Sequence, residues 1–288
     1  MTTGFVLATL TGIFYGLQGV VGKWVVKDAS PVVSAWAVTT FTAPFLFLLL
    51  LFQGIPPINP LPFWSATLTS YLINLFSWTL FFKSLQLSSL AQTMPYTALT
   101  PLFIIPVSYF LLGELPSTPG ITGILLIIGG AYGLQLPPGQ WWQPLRHSFK
   151  NKGTRLMILV AFLWSISATV EKVAVTNSSP LFYGTIINAL LGITYSFYIR
   201  YRMPLFGGSS NHSMKRFWIL GLVSAGMVIA QFYALLYLYV SYVIAFKRAG
   251  VLVSVLMGHI VFKEKDVLRH LVFTSFMVLG AYLIMQGS

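Results

Sequence analysis

The 288 residues are 56% hydrophobic and only 8% charged, with a mean hydropathy of +0.80 and a net charge of +12; this composition belongs to a chain solvated by lipid. There is no cysteine, which excludes disulfides and thiolate metal sites, and the four histidines (His147, His212, His259 and His270) have no carboxylate at metal-ligand spacing. No metal and no cofactor are expected. Most of the basic residues sit in short links between apolar runs, where they set membrane orientation rather than bind nucleic acid.

Apolar runs follow one another near 4–26, 32–52, 62–82, 88–112, 117–136, 155–176, 181–200, 217–237, 240–262 and 267–286. Each is long enough, at about 1.5 Å per residue, to cross a hydrocarbon core of about 30 Å. The fold class expected is therefore an all-α integral membrane protein with ten transmembrane helices. The first run has no basic start and is interrupted by Gly12, Gly16, Gly19 and Gly22, so it reads as a mature helix rather than a signal peptide. The longer links are the Pro-rich 53–62, the Pro/Trp/basic 136–154 and the Gly/Ser segment 203–215, none of which holds a soluble domain. Lys27, Lys83, Arg146, Lys150, Lys152, Arg155, Arg200, Arg202, Lys215, Arg216, Lys263, Lys265 and Arg269 fall on one side of such a bundle, and the positive-inside rule then places both termini outside. Trp141, Trp142 and Trp218 fit an interfacial belt.

The chain repeats itself. TLTGIFYGLQGVVGKWVVKDASP (9–31) lies over ILVAFLWSISATVEKVAVTNSSP (158–180), which matches Tyr15 with Trp164 and Lys23 with Lys172. Further on, FLLGELPS around Glu114 lies over HIVFKEKD around Glu264, and GGAYGLQ lies over LGAYLIMQ. The halves are 1–140 and 155–288, joined by 141–154. With five spans in each, an odd number, the second half enters the membrane inverted, an arrangement associated with alternating access around a site between the halves.

Charges inside apolar runs mark candidate sites, since each costs about 2.5–3.5 kcal/mol on insertion scales. In the run 241–264, Lys247 and Arg248 are adjacent, followed by Gly250, Ser254 and Gly258 at the four-residue spacing that lets another helix approach. Glu171 and Gln231 come at the same depth, about 10 Å inside one face. Lys247 and Arg248 either pair structurally with Glu171 or leave one cation for a substrate carboxylate or phosphate. Glu171, beside Lys172, is expected to remain ionised. With Lys172 counted in, three cations face one carboxylate, so the substrate is expected to be anionic or zwitterionic. The first half's matching positions, Gly22, Thr97 and Ala98, are uncharged, which sets the site off-centre. Tyr15 and Trp164 near mid-span are candidate cavity walls; Gln18 and Asn74 are polar groups that bond either a ligand or another helix. The clustered carboxylates or histidines that lipid-phosphate chemistry uses are missing from a chain with five acids, so a membrane-embedded enzyme or lipid-handling protein is the weaker alternative and a non-enzyme is expected.

Two five-span repeats, each with a turn at Gly113-Glu114 or Lys263-Glu264 before a final glycine-containing helix, and with an aromatic-small pair in the opening helix (Tyr15-Gly16, Trp164-Ser165), resemble the drug/metabolite transporter superfamily of EamA type. The resemblance covers essentially the whole chain. It implies a secondary carrier of the bacterial inner membrane for amino acids, carboxylates or other small metabolites, with sugar-phosphate or nucleotide-sugar exchange as the variant within transporters. It also implies a central cavity, export as the frequent direction, and cytoplasmic termini where the loop charges place them outside. The partners implied are a small-molecule substrate and the lipid bilayer.

Overall fold

A computed structural model describes residues 1–26, 29–87, 94–135, 151–202, 211–250, 253 and 267–287. The described elements are helices: α1 (Thr2–Val26), α2 (Pro31–Thr40), α3 (Ala43–Gln53), α4 (Pro60–Leu87), a 3-10 turn (Met94–Leu99), α5 (Thr100–Leu112), α6 (Thr118–Gln135), α7 (Lys152–Thr176), α8 (Pro180–Arg202), α9 (Asn211–Leu235), α10 (Val240–Ala249) and α11 (Val267–Gln286). Among the described residues, five segments are long and apolar enough to cross a bilayer: Thr2–Gly22, Pro31–Gln53, Lys152–Thr176, Pro180–Arg202 and Met214–Leu235. Tyr96–Leu112, Thr118–Gly133 and Val272–Gln286 are shorter apolar helices. Phe52, Phe110 and Leu61 stand outward and exposed, as lipid-solvated side chains do.

Local chemistry sets the breaks. Proline at 31 opens α2 where its missing N–H is no loss, with Ser30 as N-cap. Pro44 cannot donate back to the Thr40 carbonyl and crowds it, so one apolar segment bends at Phe41–Thr42 into α2 and α3. The Thr42 hydroxyl donates to Val38 O at 2.6 Å. Gly113 ends α5 in the left-handed region at φ 69°, which glycine adopts without strain and which turns the chain back at Glu114.

Helices of the first half pack lengthwise and antiparallel on helices of the second. Along α1 and α9, Gly4 meets Tyr237 and Leu238 while Gly226 meets Phe14. Ser70 and Ser167 face each other where α4 meets α7, and Ser84 donates to Gly153 O at 2.7 Å. On α2 and α8, Trp36 Nε1 donates to Ser196 Oγ at 2.8 Å and Gly192 lies on Thr40. In the fourth pair, α6 with α11, Gly123 and Gly280 lie against each other's carbonyls. A further crossing, α1 over α10, brings Gly12 against Gly250 so closely that a β-carbon at either would strike backbone. Glycine at such crossings lets helices approach through backbone contacts, the usual source of association in lipid. Ser254, Gly258, His259, Glu264 and Trp141–Trp142 lie outside the described residues; Trp218 packs edge-on against Phe41 and Phe45.

Candidate functional site: two adjacent cations between the halves

Lys247 and Arg248 occupy the last described turn of α10. Their charges suit a helix C-terminus, but that term is worth about 0.3–1 kcal/mol. The effective cost of burying an ion is several kcal/mol, so the dipole does not account for them. What they touch decides their role.

Arg248 is 3% exposed. Its Nη1 donates to the Tyr15 hydroxyl at 2.6 Å and its Nη2 to Thr100 Oγ1 at 3.1 Å. The guanidinium carbon lies 5.1 Å from the Tyr15 ring centre and 5.5 Å from that of Trp164. Buried Nε has no hydrogen-bond partner among the described residues. The aromatic rings favour a cation over their faces, yet the partners are neutral and one donor is unmet.

Lys247 Nζ donates to Gln231 Oε1 at 2.8 Å and lies 5.4 Å from the Tyr15 ring centre. Gln231 Nε2 in turn donates to Glu171 Oε2 at 3.4 Å. The other carboxylate oxygen accepts from Ser167 at 2.8 Å, and from Ser70 and Asn74 Nδ2 at 3.3 Å each. Tyr183 donates to Ser70 Oγ at 2.9 Å and backs the cluster. One continuous set of contacts therefore runs from Trp164 and Tyr15 through Arg248 and Lys247 to Gln231, Glu171 and Asn74.

Of the two alternatives for Lys247 and Arg248, direct pairing with Glu171 is not seen: Gln231 stands between Glu171 and Lys247, and Arg248 bonds Tyr15 and Thr100. Nor does Lys172 add to the site's charge. Neighbouring positions on a helix diverge by about 100°, and Lys172 points away to form an ion pair with Glu114 and to donate to Leu238 O at 2.8 Å. Glu114 also accepts the Val240 N–H at 2.9 Å, so it caps α10, an orphan N–H group otherwise. Gln18 is also elsewhere: its Nε2 donates to Ser224 Oγ at 2.8 Å and fastens α1 to α9.

Sequence reasoning missed Ser70, Ser167, Thr100, Tyr183 and the Glu114 cap. Ser70 and Ser167 sit four residues before Asn74 and Glu171, one helical turn away on the same face, and that spacing was the available signal. Nothing local marks Thr100 or Tyr183. Among the described residues no group of three His, Asp or Glu side chains is placed to hold a metal ion.

No curated protein matches this sequence. A protein solved by crystallography superposes on it with a TM-score of 0.79 at 14% identity, over 99% of this chain and 97% of that one, a likeness of fold. The model of the EamA-like transporter family matches twice, over residues 2–136 and 151–286. The chain therefore belongs to the EamA-like transporter family, within the drug/metabolite transporter superfamily, as a multi-pass membrane protein built from two repeats.

Proposed function

We propose that the protein is a secondary carrier of a small organic anion or zwitterion, working by alternating access across a bacterial inner membrane, with the substrate's anionic group held by Arg248 and Lys247. The observation that carries this is the buried guanidinium whose partners among the described residues are neutral and leave the Nε donor unmet, at a place where α1, α5, α7 and α10 from both halves converge. A carboxylate or phosphate arriving there supplies the missing acceptor and offsets the desolvated charge. Glu171 accepts from four neutral donors, and the longest of these contacts, from Gln231 at 3.4 Å, is the one a substrate ammonium would displace.

The reading includes ten spans in two inverted sets of five. The pairing of helices supports it: exchanging each helix for its repeat equivalent converts the α1–α9 contact into the α7–α4 contact, while α2–α3 with α8, and α6 with α11, are pairs of equivalents. Rocking of one set against the other would then expose the site to either side. Export is the direction implied by family resemblance, and sugar phosphates are the second substrate class to screen, because adjacent Lys and Arg suit a dianion.

The test is uptake into liposomes with matched acid and amide forms of each candidate solute. Arg248→Gln should weaken transport of the acid tenfold or more, about 1.4 kcal/mol, and spare the amide. Equal loss of both would place Arg248 in folding or gating instead.

A further inference from the structure

Away from the two cations, a groove of about 610 Å³ opens between the α2–α3 bend and α8, within the range of ligand pockets. Its outer walls are Phe47, Ile193 and Phe197, which are 52%, 55% and 57% exposed, so it opens sideways toward the lipid rather than into the bundle. Its floor is where Gly192 lies on Thr40, and a β-carbon at Gly192 would come within 2.9 Å of Thr40 Oγ1. The groove exists because glycine lets α8 sink onto the bend.

The lining is mainly apolar, interrupted by the small polar side chains of Thr40, Thr185, Asn188 and Ser196, and it carries charge at one end. From Thr185 to Arg200 it follows α8 for about 22 Å at helical rise, longer than the ~15 Å depth of one leaflet. Arg200, the one charged side chain among the described lining residues, stands at that end. Trp36 ties Arg200's end of α8 to the start of α9, bonding Ser196 on one side and packing edge-on against Phe217 on the other. Lys215 and Arg216, just before Phe217, therefore lie at the same end of the bundle as Arg200 and Arg202. Among the described residues, no acidic side chain lines the groove.

We infer that this groove is a binding site for an anionic phospholipid of the surrounding bilayer, with one acyl chain laid along α8 and the phosphate on Arg200. An acyl chain matches the mainly apolar, laterally open walls. The basic end selects a headgroup with net negative charge, as basic pockets between transmembrane helices do. Because the groove lies over the Phe41–Thr42 bend, its occupant also packs against the one break in an otherwise continuous apolar segment. This inference is independent of which solute is carried, and its readout is binding, not transport.

The test uses the full-length purified protein after delipidation, incubated separately with dioleoylphosphatidylglycerol, dioleoylphosphatidylcholine and glycerol 3-phosphate and read by native mass spectrometry. Phosphatidylglycerol should be retained at least fivefold more than phosphatidylcholine, and glycerol 3-phosphate not at all. Arg200→Gln, an exposed change, should abolish the preference between the two lipids. Ala189→Phe, which fills the groove, should reduce retention of both. Equal retention of the two lipids by the unmodified protein, or an unchanged preference in Arg200→Gln, overturns the assignment. So does a loss of self-association in Ala189→Phe, which would show a second copy of the chain to be the occupant, and so does retention of glycerol 3-phosphate, which would show a site for free phosphates.

Discussion

Arg248 and Tyr15, 233 positions apart in the chain, meet at 2.6 Å, guanidinium Nη1 to phenol oxygen, and the same ring lies under the guanidinium carbon at 5.1 Å. Tyr15→Phe keeps the ring and removes the acceptor. Hydrogen bonds to a charged group are worth roughly 1.5–3 kcal/mol, so thermal unfolding should show Tyr15→Phe less stable by about that amount without ligand. A bound anion should recover part of the loss, giving a larger ligand-induced stabilisation than in the unmodified protein. A stability equal to that of the unmodified protein would show this contact to be energetically idle.

Gln231 insulates Lys247 from Glu171, and its replacement by glutamate inserts a second carboxylate at the same place. Gln231→Glu should therefore neutralise Lys247 and reduce binding of an acidic solute tenfold or more, about 1.4 kcal/mol. Gln231→Leu should cost the acid far less. The measurement is affinity by counterflow in liposomes for both variants; equal effects would mean that the position acts through its shape alone.

The Lys172–Glu114 pair is not interchangeable in sign. Glu114 also accepts the Val240 N–H, and Lys172 also donates to the Leu238 carbonyl, so a swap sets an ammonium against a donor and a carboxylate against an acceptor. Breaking a buried pair from one side costs about 3–5 kcal/mol, and with side chains 17% and 8% exposed Glu114→Gln should fall at or below the lower end. The double variant Glu114→Lys, Lys172→Glu should be no more stable than either single change. Rescue by the swap, read by thermal unfolding, would reduce the pair to simple charge attraction.

A β-carbon at Gly250 would overlap the Gly12 carbonyl, whereas one at Gly22 on the same helix as Gly12 meets nothing within 4 Å. Gly250→Ala should destabilise by about 1–3 kcal/mol, as overpacking does, and Gly22→Ala should be neutral or slightly stabilising. Similar unfolding temperatures for the two would contradict the close crossing of α1 and α10.

Because the chain has no cysteine, single introduced cysteines report topology without background. Asn177→Cys and Gly54→Cys, at adjacent ends of α7–α8 and α3, should react with a membrane-impermeant thiol reagent from one side of the membrane, and Lys152→Cys from the other. Labelling of Asn177→Cys and Lys152→Cys from the same side would remove α7 from the spans and end the inverted arrangement.

The sequence by itself determined the membrane class, the helical fold and the family, because hydropathy over about 20 residues and a repeat near 150 positions are local or additive properties that need no partner to be read. It also marked Lys247, Arg248 and Glu171, since charge in an apolar run is costly wherever the helix ends up, and Gln231 as a polar group at their depth. The tertiary structure decided the rest. Glu171 and Lys172 are neighbours in the chain, yet about 100° of helical turn sends one to Ser70, Asn74 and Ser167 and the other to Glu114. Depth alone could not show that Gln231 comes between opposite charges, because depth fixes position along a helix and leaves rotation about it free. Rotation is set by where small residues such as Gly12 and Gly250 let two backbones touch, and that contact exists only after the two halves have packed.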